Sequence, residues 1–298
     1  SVRFASPRKL PKAADLDGRV VVLDVAFAGS GLGKSFKKST GKFIRQLGDR
    51  LAAWVDHHDN ALHAAFADDH RFVLARKEEF GACPEMIDPE LIRDVGPVDT
   101  IVCHADLDGI YAAAKWILGG KEPYAGADAD ARAVDTRTGR LGPIGKLIDH
   151  AFRARPKDWS LRSAAVQYLT NGCHPGPEAQ RLRDAAAKFA VMQNEAVRLA
   201  NRYTVRGRVA VVEVAERAHA YDKTDLLLEG QKLAPVSIVK QGPHMTVAAP
   251  FDSGWNLLEI MDLGGGMPTR ISLDSDRLDE VVEKINDAPM PLPSIRHG

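Results

Sequence analysis

The sequence predicts an α/β protein: a parallel-sheet domain, a helical connector, and then a smaller α/β domain. Three observations carry that expectation. Four short apolar runs in the first half each end on aspartate: VVVLD at 20–24, AAWVD at 52–56, TIVCHAD at 100–106 and ARAVD at 131–135. Such runs, without polar alternation, suit strands buried on both faces of a parallel sheet. Helical patterns fall between them, TGKFIRQLGDRLAAW before the second run and IYAAAKWIL after the third, and this alternation argues for an open α/β sheet. Ligands of such sheets bind beyond the carboxyl ends of the strands. Strands that stop at Asp24, Asp56, Asp106 and Asp135 would therefore bring carboxylates to that edge.

From 156 to 205 the composition turns helical, with Leu182, Ala185, Ala186, Phe189 and Met192 at helical spacing, which reads as a connector. Beyond Arg206, RVAVVEV, APVSIVK and HMTVAAP read as strands, and LDEVVEKI at 278–285 as a closing helix. The expected domains are 1–155 and 206–298, joined by the connector at 156–205. The tail PMPLPSIRHG reads as loose.

Length and composition narrow the function. The chain has 298 residues, enough for two domains with their own cores. Its 40 Lys+Arg balance 40 Asp+Glu, which removes the basic stripe of a protein that coats long nucleic acid. Cys83, Cys103 and Cys173 are widely spaced and form no C-x-x-C, so neither a disulfide framework nor a zinc knuckle is supported and a reducing cytoplasm is expected. The first ten residues lack the apolar core of a signal peptide, and nowhere do 18 apolar residues run together. The expectation is a soluble protein that does not enter a membrane.

Chemistry concentrates in two strings. In an extended His104-Ala105-Asp106-Leu107-Asp108-Gly109, alternate side chains share a face, so His104, Asp106 and Asp108 would offer half a metal site. Gly109 allows close backbone approach, and Ala112, Ala113 and Ala114 let the next helix pack tightly. An isolated D-x-D-G is more often a solvated turn, so the string gains meaning only with partners. Asp56-His57-His58 supplies them: one imidazole to ligate metal, a second to hydrogen-bond phosphate, and a carboxylate to orient the rings. Oxygen donors with one or two imidazoles and no thiolate suit manganese or magnesium better than zinc or copper.

The strings WVDHHDNAL and CHADLDGIYAAAKW resemble the signature motifs of the DHH phosphoesterase superfamily, which includes RecJ-like exonucleases, nano-RNases, cyclic-di-AMP phosphodiesterases and a family of pyrophosphatases. Gly264-Gly265-Gly266 followed by MPTRISL resembles the GGGHP segment of the DHH-associated C-terminal domain, which holds the nucleotide part of the substrate. The resemblance spans most of the chain. It implies that Asp106 and Asp108 ligate two metal ions, that Asp24 bridges them, and that His57 is the imidazole ligand. His58 would contact the phosphate, Asp56 would support the pair, and His104 would be a ligand or stand close behind one. Asp135 is the candidate for the last aspartate, with Asp128 and Asp130 close by. The implied cofactor is two Mn2+ ions, with Mg2+ able to replace them, clamping a phosphoryl group and acidifying a bridging water. The implied substrates are short oligonucleotides or small nucleotide phosphoesters, and a homodimer is compatible with the resemblance. Two departures stand out. Asp24 and the DHH string precede D-x-D-G, a permuted order that a parallel sheet tolerates if the same strand ends converge. Met267 replaces the histidine that usually follows the three glycines, so its contact would be missing or supplied by His244 or Arg270.

Other residues keep two readings. Lys240 and Arg270 flank the glycine segment, as phosphate contacts or as solvated strand-end charges. Ala28-Gly29-Ser30-Gly31-Leu32-Gly33-Lys34-Ser35 fits a P-loop if Ala is allowed first, with Lys34 on the terminal phosphates and Ser35 on magnesium. Against that, KSFKKSTGKF is polar and broken by Gly41, a poor start for the helix a P-loop opens. The loop otherwise reads as a glycine-rich connection, or as a substrate contact through Lys34, Lys37 and Lys38. A different class of reading is a catalytically silent, RecJ-related nucleic-acid-binding protein; the near-complete ligand set argues against it. Trp116 and Phe189 read as core, and His63, His70, His150, His174, His219 and His297 as surface or satisfied histidines.

Overall fold

The computed structural model describes residues 1–28, 35–263 and 267–291, and its contacts divide the chain into two compact units, Ser1–Ala187 and Lys188–Gly298. In the first unit, β1 (Val2–Ala5), β2 (Val20–Leu23), β3 (Leu51–Asp56), β4 (Phe72–Leu74) and β5 (Thr100–His104) form one sheet in the order β1-β5-β2-β3-β4. Every neighbouring pair is parallel. Val21, Leu23, Ala53, Val55, Ile101 and Cys103 enter one core, and Val20, Val22, Leu51, Trp54 and Val102 enter another. Alternate residues thus face opposite layers, both covered, which is why these strands carry no polar alternation.

Helices α1 (Thr40–Leu47), α2 (Pro89–Val95), α3 (Leu107–Ile117), α4 (Ala127–Thr136), α5 (Pro143–Ala154), α6 (Trp159–Thr170) and α7 (Pro177–Ala186) complete this unit. Three of the four expected strands stand in β2, β3 and β5. The fourth does not: ARAVD lies inside α4. Ala127, Asp130, Ala131 and Val134 are buried at helical spacing, alanine is the best helix former, and Asp128 and Asp130 favour the positive end of the helix. The five-residue window hid a ten-residue helix.

The helical stretch at 156–205 divides between the units. Leu161, Leu169 and Leu182 of α6 and α7 join the first unit's core, whereas Ala196 and Leu199 of α8 (Phe189–Ala200) pack with the second. The second unit continues through β6 (Thr204–Arg206), β7 (Val209–Val214), α9 (Lys223–Gln231), β8 (Val236–Gln241), β9 (His244–Ala248), α10 (Leu257–Ile260), β10 (Arg270–Asp274) and α11 (Leu278–Asp287). Its sheet runs β10-β9-β8-β7-β6, with β7 and β8 parallel and the other neighbours antiparallel. Val209, Ile238, Val247 and Ile271 pack on Val281 and Ile285 of α11 on one face, and Val212 and Val239 on Leu226 of α9 on the other. The predicted class, α/β with a parallel sheet followed by a second α/β unit, is the one observed. No helix among the described residues is long and apolar enough to cross a membrane.

Candidate metal centre

Because β5, β2 and β3 are neighbours, their carboxyl ends deliver three strings to one place. Asp24 follows β2 with φ of +59°, a left-handed conformation that costs a non-glycine residue on the order of 1–2 kcal/mol. Its amide still donates to the Val55 carbonyl at 2.8 Å, so the chain bends only after the last bond of the ladder. β3 delivers Asp56 and His57, both 0 % exposed. β5 delivers His104 and hands the chain to α3. The extended geometry expected through 108 therefore ends early: Asp106 caps α3 by accepting from the Gly109 amide, and Asp108 lies in its first turn. A Cβ at Gly109 would stand 2.5 Å from the His104 carbonyl oxygen, so only glycine lets the helix start this close to its strand.

The helix start sends the two aspartates to different neighbours. Asp24, His104 and Asp106 form one set whose ligand atoms all lie within 4.8 Å of one another, His57, Asp108 and Asp135 form a second, and Asp24, His57 and His58 link them. His57 Nε2 is 3.2 Å from Asp24 Oδ1, 3.3 Å from Asp108 Oδ2 and 3.6 Å from Asp135 Oδ2. His104 Nδ1 is 2.6 Å from Asp106 Oδ2 and 3.5 Å from Asp24 Oδ2. Asp135 arrives on a helix instead of the expected strand end, yet reaches the same place. Asp128 and Asp130 are engaged elsewhere. Asp128 accepts from Lys115 Nζ at 2.5 Å, and Asp130 accepts from the Tyr124 hydroxyl and the Gly142 and Gly145 amides.

The histidines are held from behind. His57 Nδ1 lies 2.8 Å from the Phe80 carbonyl oxygen, which can only accept, so Nδ1 carries a proton and Nε2 faces the carboxylates. His58 Nδ1 meets Asp56 Oδ1 at 2.8 Å. This is the arrangement by which carbonyls and carboxylates fix metal- and phosphate-facing imidazoles. Burial pushes the Asp24 carboxyl up, and the negative Asp108 and Asp106 push it further. Burial would also raise Asp108 and Asp56, but His57 and His58 respectively hold them below the usual carboxylate range. Burial alone would lower His57; Asp108 and Asp24 instead push it up to about 10. Both oxygens of Asp24, and His104 Nδ1, are buried without a hydrogen bond of acceptable geometry among the described residues. Buried carboxylate oxygens that make no hydrogen bond favour a cation beside them.

Three contributors carry no sequence signal of their own. Lys77, 3 % exposed, pairs with Asp135 and lies 3.2 Å from His57 Nε2; lysine in LARKEEF reads as ordinary surface. Arg162 on α6 donates to the Ala105 carbonyl at 3.1 Å and to the Arg155 and Asp158 carbonyls, which steadies the loop that presents Asp106. His63, grouped above with ordinary histidines, stands 3.9 Å from Asp56 Oδ2 and edge-on to Phe27. It lines a cavity of about 400 Å³ together with Asp59, Asn60, Arg76 and Glu79.

The remaining expected contacts belong to the glycine-rich loop, to the second unit or to residues outside the described ones. Gly264, Gly265, Gly266 and Lys34 are outside them. Ser35 is exposed and precedes a three-residue 3-10 helix, while α1 opens only at Thr40; a P-loop serine would itself begin the helix. Arg270 opens β10 opposite Ala248, which pairs with Ser237, whereas Lys240 sits three residues farther along β8, 3.3 Å from Glu213. These two cations therefore occupy different ends of the sheet. Lys223, at the start of α9, lies nearer to Arg270: burial, and then Arg270, push its ammonium down.

No family model and no curated protein matches the chain. Among solved structures, a pGpG-specific phosphodiesterase, PggH, from Vibrio cholerae is similar to it over 91% of this chain and 100% of that chain, at 11% identity and a TM-score of 0.41.

Proposed function

We propose that the chain is a metal-dependent phosphoesterase of the DHH type, a manganese phosphodiesterase acting on short oligonucleotides or small nucleotide phosphoesters. Asp24 is the observation that carries this reading: a fully buried carboxylate in a left-handed backbone conformation, its oxygens without a hydrogen bond among the described residues, set among the imidazoles of the DHH and D-x-D-G strings. The donors fit two divalent ions, one at Asp24, His104 and Asp106 and one at His57, Asp108 and Asp135. Ions held there would supply Lewis-acid pull on a phosphoryl oxygen and a water acidic enough to deprotonate near neutral pH. The chain's own groups do the rest. Phe80 fixes the His57 ring, Asp56 turns His58 so that its free edge can donate to a phosphate oxygen, and Arg162 holds the Asp106 loop. Arg270 and Lys223, with Gly264, Gly265 and Gly266, would anchor the nucleotide. The even charge balance favours short substrates over a long track.

The test is hydrolysis of bis-p-nitrophenyl phosphate and of labelled RNA and DNA of graded length, from dinucleotides upward, with and without Mn2+. Metal-dependent turnover that slows as length grows is expected. Absence of metal-dependent turnover on every substrate would overturn the reading in favour of a binding protein, and a preference for long strands would overturn the substrate class.

A further inference from the structure

The two ligand sets are not equivalent. In the first, Asp24 and Asp106 face imidazoles, His104 beside both and His57 and His58 beside Asp24, with no lysine ammonium paired to either among the described residues, and both Asp24 oxygens lack a hydrogen bond there. In the second, a cation is already present. Lys77 Nζ pairs with Asp135 and stands 3.2 Å from His57 Nε2, and its charge also acts on Asp108. All three members of that set therefore feel one ammonium.

Its position is built in. The Ala75 amide donates to the Asp56 carbonyl at 3.0 Å, which ties the start of the segment to the end of β3, and the Phe80 amide donates to the Arg76 carbonyl at 3.1 Å. Glu79 accepts from the Arg76 amide at 2.7 Å. A pinned backbone thus aims a long side chain into a buried carboxylate cluster, where an ammonium is stable only because it is paired. Lysine is a compact charge on a flexible stem, so it can leave by side-chain rotation with the backbone unmoved.

We propose that Lys77 is an internal cation at the His57–Asp108–Asp135 position. The chain would then hold one divalent ion tightly at Asp24–His104–Asp106 and take a second only by displacing the ammonium. This rests on the reading of the cluster as a metal centre. Its consequence is a centre whose second ion enters only at higher metal concentration.

Manganese titration of the metal-free protein, followed by calorimetry and by the paramagnetic resonance signal of free Mn2+, tests it. The wild type should bind one ion tightly and a second at least about tenfold more weakly. In Lys77→Met and Lys77→Gln the second ion should tighten by about tenfold or more with the first unchanged. Two equally tight ions in the wild type, a reading that needs no variant to fold, or no gain in either variant would overturn the role of Lys77 and leave the metal centre standing. No Mn2+ bound by any of the three proteins would overturn the metal centre itself.

Discussion

In the second unit, the polar side chains buried in the sheet and at its helix are modest and satisfied: Ser237 donates to the Ala248 carbonyl, and Asp222 caps α9 through the Asp225 amide. In the first unit, Asp24, Asp56, His57, Lys77 and Asp108 are buried together at one sheet edge, with both Asp24 oxygens lacking a hydrogen bond among the described residues. Both sheets have five strands and two covered faces. Burying ionised groups costs several kcal/mol each unless they are well paired, and in the second unit the buried carboxylate, Asp222, caps a helix instead of gathering with others. The charge in the first unit is therefore best explained by something it binds.

That contrast can be broken at several points. Asp106→Ala or His57→Ala should reduce metal-dependent hydrolysis by about a thousandfold or more, the scale of losing a charge-stabilising group at a reacting centre, with circular dichroism unchanged. Full activity in either variant would remove the contrast. Ile238→Ala, in the apolar core of the second unit, should instead cost about 2–5 kcal/mol of stability by leaving a cavity, read by denaturant unfolding, while the folded fraction keeps its Mn2+ affinity.

Smaller effects sharpen the comparison. Mn2+ at a hundred times its dissociation constant should stabilise the wild type by about 2.7 kcal/mol. Asp24→Asn should lose most of that protection, yet should raise the stability of the metal-free protein by about 1–2 kcal/mol, because a buried charge is gone and asparagine tolerates the left-handed backbone. Thermal unfolding with and without metal reads both. The smallest effect belongs to a surface pair. Asp69, 2.6 Å from Arg71, is held below its ordinary value by that guanidinium. Its contribution is present above the unfolded carboxylate value and fades as pH falls through the lower folded one. Asp69→Asn should thus change the stability lost between neutral pH and about pH 3 by no more than about 1 kcal/mol.

The legible parts of this protein are those where one local signal suffices. Three buried strands announce themselves by apolar runs, and DHH and D-x-D-G carry the chemistry in adjacent residues. Asp135 shows the limit: its run reads as a strand end, yet it reaches the cluster from α4, because helix and strand compete for an alanine-rich window on propensity that five residues cannot decide. The edge strands β1 and β4, four and three residues long, are too short to show periodicity.

By itself, the sequence determined the class of fold, the strand ends that would carry acid, and the residue types that suit a hard divalent cation. These follow from local pattern and donor chemistry, which need no partner across space. The tertiary structure decided which aspartates meet. It set Asp128 and Asp130 apart with Lys115 and Tyr124, split Asp106 from Asp108 at the first turn of α3, and brought Lys77 in from beyond β4. Those outcomes depend on strand order and on where a helix begins, and a buried charge acquires its role only from neighbours that the chain brings from far along its length.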